Sequence, residues 1–324
     1  MQSYEKFAGI RYNHFAYYLR AGLRTLTPKC LLNVDFNKIE AAIPSASLPR
    51  LRTRLDYYHK INTAFAAFDH PKVIKEIKIK DGPSSYWFDL MEYARFFPQE
   101  YRVHHLFGDI THVPSQPTIV KSRPIFDDPS ANQNSILFNL NKIRHFRFIP
   151  DNLSFIQKMP RLVWRGAAYK SKRIHLMEKH FGRNPMIDVG QTNQPKVGKP
   201  NWQVPYMGIP EQFQYRFILS VEGNDVATNT KWIMASNSLL FMPKPSVETW
   251  FMEGTLIPGR HYVQVRDDFE DLEERVAYYT AHVTEAEDII RNANRYTDEF
   301  KNQATEDWLS LRVLERYFTC SGQR

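Results

Sequence analysis

Residues 162–173 read LVWRGAAYKSKR. Leu162, Val163 and Trp164 make an unbroken apolar run, the pattern of a strand covered on both faces. Arg165-Gly166 and two alanines follow, and Lys170, Lys172 and Arg173 then stand at the start of a predicted helix. Small residues let the backbone approach a ligand. A helix N-terminus with three cations beside it is an anion site. Cations at that end oppose the helix dipole, so they need a partner, and phosphate supplies one. In a doubly wound domain this first strand-to-helix crossover is where ligands bind. The alternative is a solvated basic helix face. The segment is neither a P-loop nor a GxGxxG fingerprint.

Outward from this stretch, strand and helix patterns alternate to the end of the chain. MIDVG (186–190), YRFILSVEG (215–223) and SLLFMP (238–243) read as strands. Helices are expected from about 170, near 211–214, over 228–236, in the acidic stretch after 264, and at the C-terminus. Upstream, helices are expected over 12–26 and 50–67, the latter with Leu51, Leu55, Tyr58, Ile61 and Phe65 as its buried stripe. KVIKEIKIK (72–80) alternates like a strand, 86–97 like a short helix, and strands follow at about 102–107 and 117–120. The alternation signals an α/β protein with a parallel sheet and a boundary near residue 155.

Three more patterns carry candidate chemistry. In ILSVEGNDVATNTKWIMASNSLLFM (218–242) a strand ends in Glu222-Gly223-Asn224-Asp225. Asn224, Thr228 and Asn229 have the groups to bond a nucleotide or sugar, and Lys231 to meet a phosphate; helix capping is the alternative. In PSVETWFMEGTLIPGRHYVQV (245–265), Glu248 and Glu253 flank Trp250, Phe251 and Met252 in an expected loop. A carboxylate there suits the paired hydroxyls of a ribose, unless the loop only fills the core. In FGDITHVP (107–114), Asp109 follows an apolar strand end and His112 comes three residues later. A strand-terminal Asp is a candidate general base, or simply caps a turn.

The 324 residues carry 43 Lys+Arg against 35 Asp+Glu, a net charge of +8. With 43% hydrophobic and 24% charged residues the chain is of the folded, not the disordered, class. Residues 1–60 hold ten basic against four acidic residues, residues 141–199 thirteen against three, and residues 264–300 four against eleven. That uneven spread argues against a uniform nucleic-acid surface and for a local anion site. In YNHFAYYLRAGLRTL (12–26), Phe15, Tyr18, Leu19, Leu23 and Leu26 fall at helical spacing with Arg11, Arg20 and Arg24 beside them. Such a helix suits an anionic bilayer surface, or an ordinary docking role. The acids of DDFEDLEERV (267–276) complement a helix N-terminus rather than a metal. Cys30 and Cys320 form no CxxC pattern, and neither a signal-peptide core nor a membrane-spanning run occurs. A reducing cytoplasmic setting is expected.

Taken in order, FGDITHVPSQPTIVKSRPI, LVWRGAAYKSKR, EGNDVATNTKWIMASNSLLFM and ETWFMEGTLIPGRHYVQVRDDFEDLEE resemble glycosyltransferase family 90, in particular its bacterial lipopolysaccharide-biosynthesis branch. The protein O-glucosyltransferases and capsule-associated xylosyltransferases are the eukaryotic relatives. The resemblance covers about residues 100–300. It implies an α/β, GT-B-like architecture, two Rossmann-like domains facing a cleft, with extra N-terminal helices. The expected segments are an N-terminal helical part (1–70), an acceptor-side α/β domain (71–155), a UDP-sugar-binding domain (156–300) and a C-terminal helix (301–324).

The family transfers a sugar from a UDP-sugar with inversion and without a metal or other cofactor. Asp109 to Pro114 matches its D-x-x-x-x-P pattern, whose Asp is the catalytic base. Arg165-Gly166 and Arg173 match residues on the donor phosphates, with Lys170 and Lys172 beside them. Gly223, Asn224, Asp225, Thr228, Asn229 and Lys231 match the nucleotide-holding loop and helix, and Glu248 completes the donor set. His112, Arg123 and Trp250 fall on the acceptor side. The protein O-glucosyltransferases carry an Arg where Asn229 aligns, which leaves Lys231 or Arg173 to make that contact. The partners implied are a UDP-sugar and a glycan or lipid-linked glycan, with peripheral contact to an anionic membrane and no nucleic acid. The rival readings are a non-catalytic nucleotide- or glycan-binding protein on the same fold and, from net charge alone, a nucleic-acid binder.

Overall fold

Every residue of Leu239–Met242 is buried, as are Phe217 to Leu219 and Leu162 to Trp164. Runs of this kind need cover on both faces, which parallel strands flanked by helices provide. The computed structural model describes residues 14–26, 36–41, 43–65, 71–193 and 199–324 and has that mixed α/β construction. Arg11 and Cys30 lie outside the described residues, as does the side chain of Leu26.

In chain order come helices α1 (His14–Leu26), α2 (Phe36–Ala41) and α3 (Leu48–Tyr58), strand β1 (Lys72–Val73) and helix α4 (Ser84–Ala94). Strands β2 (Arg102–Val103), β3 (His105–Leu106), β4 (Thr118–Val120), β5 (Ser122–Pro124) and β6 (Ser135–Leu137) precede the short helix α5 (Lys142–His145). Then follow β7 (Met159–Gly166), α6 (Ser171–His180), β8 (Ile187–Gln191), α7 (Ile209–Gln212), β9 (Tyr215–Leu219), α8 (Asn229–Met234) and β10 (Leu239–Met242). Strands β11 (Val247–Thr249) and β12 (Val263–Gln264) and helices α9 (Leu272–Ala281), α10 (Val283–Asp298) and α11 (Gln303–Cys320) complete the chain.

These elements form two compact units that interleave along the sequence. One gathers the described residues of Met1–Arg144 with Val247–Met252 and Phe300–Arg324; the other gathers His145–Ser246 and Glu253–Glu299.

The second unit is a five-stranded parallel sheet in the order β8-β7-β9-β10-β12. Numbered by appearance within the sheet, that is 2-1-3-4-5, one of the two common doubly wound orders. Leu176 and Met177 of α6, Leu272, Val276 and Tyr279 of α9, and Ala286 and Ile289 of α10 join Leu162, Trp164, Phe217 and Phe241 in one buried cluster. Each large apolar side chain so buried contributes about 1.5–3 kcal/mol.

The first unit pairs β3, β4 and β6 in a short parallel sheet, with two antiparallel pairs, β1–β2 and β5–β11. Helix α11 packs on α2, α3 and α4. Between them Tyr58 stacks on Trp250 with centroids 3.8 Å apart, and Arg54 pairs with Glu306 at 2.9 Å. Helix α1 docks on α4 through Tyr17, whose hydroxyl donates to Asp89 Oδ1 at 2.8 Å, and through Tyr18 against Phe88. Phe15, Leu19 and Leu23 stay exposed on α1, at 73%, 51% and 58%.

Three local expectations change. KVIKEIKIK is not a strand beyond Val73. It coils into two 3-10 turns, Ile74–Glu76 and Ile79–Asp81, because Ile74 and Ile77 are the buried pair while Ile79 is exposed. Asp81 secures the second turn by accepting from the Lys78 N–H at 2.9 Å. The helix expected over 50–67 ends at Tyr58, so Ile61 and Phe65 lie beyond it. Tertiary bonds replace the helical ones there: the Phe65 N–H donates to the Cys320 carbonyl, and Arg316 donates to the His59 carbonyl, both at 2.9 Å. Finally, Val247–Thr249 is a strand on β5, not a loop.

Candidate functional site

In a 2-1-3-4-5 sheet the chain reverses its winding between the first and third strands, and the crevice outside their carboxyl ends is the usual ligand site. Here those strands are β7 and β9, and their carboxyl ends carry Arg165-Gly166 and Ser220 to Gly223. Helix α6 starts one short loop after β7 and turns its unbonded N–H groups toward the same end.

Arg173, in the first turn of α6, is half-buried at this point. Among the described residues its guanidinium bonds only carbonyl oxygens: Val221 at 2.8 Å, Glu222 at 3.1 Å and Ala167 at 3.3 Å. No carboxylate neutralises it. Burial lowers its pKa from the ordinary arginine value, but an arginine keeps its proton at any working pH. Gly223 lies against this cation: a Cβ there would come within 3.0 Å of Nη2. The Trp164 ring leaves equally little room at Gly166, where a Cβ would approach Cζ2 to 2.7 Å. A side chain at Gly166 would meet the Trp164 ring, and one at Gly223 would require the Arg173 guanidinium to give by a few tenths of an ångström.

The other expected donor residues differ in what they offer. Arg165 pairs with Asp188 at 2.7 Å and also donates to the Asp188 and Trp164 carbonyls. Asp188 in turn accepts from the Tyr215 hydroxyl at 2.9 Å. Lys170 is exposed at the N-cap of α6. Lys172 reaches Asp267 at 2.9 Å. Asn224 is exposed, Asp225 buried and Thr228 half-buried at the N-cap of α8, with no side-chain cap bond.

Asn229 and Lys231 are both engaged within the unit. Asn229 serves the fold: its Nδ2 donates to the Leu219 carbonyl at 3.1 Å, and its Oδ1 accepts from the Ser220 hydroxyl at 2.9 Å. With that proton committed, the 2.7 Å contact between Ser220 and Thr230 has the threonine as donor. Lys231 is fully buried and pairs with Glu253 at 2.5 Å. Its charge is neutralised inside the unit, unlike that of Arg173, which among the described residues is bonded by carbonyls alone.

Asp109 belongs to the first unit. Gly108 adopts φ +130°, which an L side chain rarely tolerates, and so lets the chain turn sharply just before it. The Ser122 hydroxyl ties down the next residue, accepting from the Ile110 N–H at 3.1 Å and donating to its carbonyl at 2.9 Å. The buried Lys121 ammonium lies 2.5 Å from Asp109 Oδ1, and the Tyr86 hydroxyl donates to the same oxygen at 3.4 Å. His112 is exposed nearby in sequence.

Glu248 stands opposite Arg123 in the β5–β11 register, fully buried, and accepts from Arg123 Nε at 2.7 Å and from the Tyr57 hydroxyl. Arg123 is consumed likewise, donating also to the carbonyls of Ser135 and Tyr57. Trp250 is stacked on Tyr58, and its indole N–H donates to Glu306. Both groups are buried. Sequence reasoning missed Lys121, Ser122, Tyr86 and Asp188. Lys121 left a trace, a cation directly after the apolar run Ile119-Val120 of a short strand.

Among the described residues no group of three or more His, Cys, Asp or Glu is placed to hold a metal ion. Glu273 and Glu274 lie in the first turn of α9, and Asp271, its N-cap residue, makes no side-chain cap bond but accepts from the Arg266 N–H at 2.9 Å. Among the same residues no helix is long and apolar enough to cross a membrane.

A family model described as Glycosyl transferase family 90 matches residues 142–318. Over 307 residues, 94% of each chain, the sequence is 43% identical to O-glucosyltransferase LpsA of Dichelobacter nodosus. It is 26% identical over 172 residues to human Protein O-glucosyltransferase 3, covering 51% of this chain and 33% of that one. It is 24% identical over 139 residues to Protein O-glucosyltransferase 2 of Danio rerio, covering 41% of this chain and 27% of that one.

Proposed function

Since the chain belongs to glycosyl transferase family 90 and is a glycosyltransferase, we propose that it moves a sugar, with inversion, from a UDP-sugar to a hydroxyl of a glycan in lipopolysaccharide or another surface polysaccharide. The observation that carries the donor half is Arg173, a cation held by carbonyls alone beside Gly223 at the switch point of a doubly wound sheet. A diphosphate is the ligand such a group suits. Glucose is the first sugar to consider, from the name of the relative aligned over 94% of the chain.

The division of labour proposed is that of a GT-B enzyme: the second unit binds the donor and the first binds the acceptor. Asp109 takes the proton as the acceptor O–H bond breaks. The acceptor oxygen bonds the anomeric carbon from the face opposite UDP, and the bond from that carbon to the β-phosphate oxygen breaks, its electron pair leaving with UDP. Base help of this kind is worth about 10²–10⁴-fold. Arg173 and Arg165, with Lys170 and Lys172, stabilise the charge that develops on the diphosphate, so the proposal requires no metal. Transfer that persists in EDTA is the expected result.

The test is a panel of UDP-glucose, UDP-galactose and UDP-xylose scored by thermal shift and UDP release. A donor at 100 times its Kd raises stability by about 2.7 kcal/mol. Silence across the panel in both measurements overturns the donor assignment. The exposed Phe15, Leu19 and Leu23 of α1, with exposed Arg20 beside them, support the accompanying proposal of peripheral contact with an anionic membrane in the cytoplasm. Flotation with anionic and with neutral vesicles checks it, and equal recovery from both counts against it.

A further inference from the structure

Lys121 follows β4 directly and is 2% exposed, yet its ammonium points at a carboxylate on the surface. The side chains are 3% exposed for Lys121 and 30% for Asp109. Four other buried cations have partners whose side chains are buried: Arg123 with Glu248, Lys231 with Glu253, Arg54 with Glu306 and Lys158 with Asp151. A pair that served packing alone would follow that pattern. This one buries the cation and presents the carboxylate.

We propose that Lys121 is a positioning residue for the general base, keeping the Asp109 carboxylate ionised and aimed so that it accepts the acceptor's proton at neutral pH. This rests on the assignment of Asp109 as the base. Lys121 from the β4–β5 junction and Tyr86 from α4 both address that carboxylate, and the Tyr86 ring centroid lies 5.8 Å from the ammonium. Ser122, the neighbour of Lys121, fixes the backbone of Ile110 with two bonds. Consecutive residues thus hold both the side chain and the loop of the base. After transfer the proton sits on the carboxyl group. The adjacent cation disfavours that neutral acid, so the proton passes to water and the carboxylate is restored for the next turnover.

A cation beside a carboxylate moves its titration down by about 1–3 pH units. The experiment is UDP release from UDP-glucose between pH 4.5 and 9 by the full chain and by Lys121→Met, Lys121→Arg and Asp109→Asn. In Lys121→Met the acidic limb of the rate profile moves up by about one unit or more, with KM for UDP-glucose unchanged within about twofold. Lys121→Arg, which keeps the charge, holds the limb near the wild-type position. A folded Lys121→Met with an unmoved limb, while Asp109→Asn is inactive, overturns this inference and leaves the base assignment standing. Wild-type rates in Asp109→Asn overturn the base assignment and this inference with it. Should Lys121→Met not fold, or UDP-glucose not be turned over, carbon-13 titration of Asp109 in the wild type decides. A midpoint below the ordinary aspartate value of about 3.9 supports Lys121, and one at or above it overturns the role.

Discussion

Arg173 and Arg123 are the same residue type put to opposite uses. Arg123, in the first unit, faces Glu248 across two strands and also feeds two carbonyls, so its charge is cancelled where it stands. Arg173, in the second unit, is held by three carbonyls and no carboxylate among the described residues. Carbonyls fix a guanidinium's direction without neutralising it. The first arrangement stabilises a fold, and in the proposed function the second keeps a charge for a ligand. Asp109 with Lys121 combines the two, a neutralised pair whose anion stays accessible.

The largest effect expected from this contrast is at Asp109. Asp109→Asn keeps the shape and removes the base, so transfer falls by about 10²–10⁴-fold. UDP affinity stays near wild type, because the donor groups belong to the other unit. Single-turnover transfer beside calorimetric UDP titration separates the two quantities. A fall in both would mean that Asp109 supports the fold, and the contrast between accessible and buried anions would lose its force.

The second prediction inverts the readout. Arg123→Met leaves the Glu248 carboxylate buried without its cation, which costs about 3–5 kcal/mol of stability. Chemical denaturation reads it directly. UDP binding by the protein that remains folded is expected to be unchanged. Arg173→Ala gives the reverse pattern, a UDP affinity about 10- to 100-fold weaker, from a charged hydrogen bond worth about 1.5–3 kcal/mol, with little loss of stability. Were Arg173→Ala to unfold the chain and Arg123→Met to weaken UDP binding, the roles assigned here would be exchanged.

The same contrast explains what could be read from sequence. The alternation around LVWRGAAYKSKR pointed to the parallel sheet, because strand burial and small residues at a crossover are local signals. Asp109 was legible as a strand-end carboxylate for the same reason. The partner of each charge was not. Arg123 and Glu248 lie 125 positions apart and meet only through the β5–β11 register, which no local pattern encodes. Lys231 and Glu253 are 22 apart, on a helix and a turn whose approach is tertiary. In KVIKEIKIK the alternation was real, but burial of Ile74 and Ile77 selected a period of three over a period of two.

The smallest effect comes from a third kind of buried base, and it marks why a buried arginine, unlike a buried histidine, suits the proposed phosphate role. His59, in the first unit, is fully buried, and among the described residues neither ring nitrogen has a hydrogen-bond partner. Burial, with Arg316 nearby, pushes its pKa down to about 3. A histidine can give up its proton when denied solvent, whereas an arginine cannot and must carry its charge to a ligand or a carboxylate. The consequence for stability has a definite sign. The unfolded chain binds a proton at His59 near pH 6.5 and the folded chain does not until about pH 3, so stability is full above pH 6.5 and is lost as the pH falls through that window. At pH 5 the loss is about 2 kcal/mol. Urea denaturation at pH 7 and pH 5 measures it, and His59→Leu removes that part of the pH dependence. If the variant keeps the full dependence, the acid sensitivity lies elsewhere, with Asp89 (raised to about 6 by burial) excluded because its shift acts in the opposite direction.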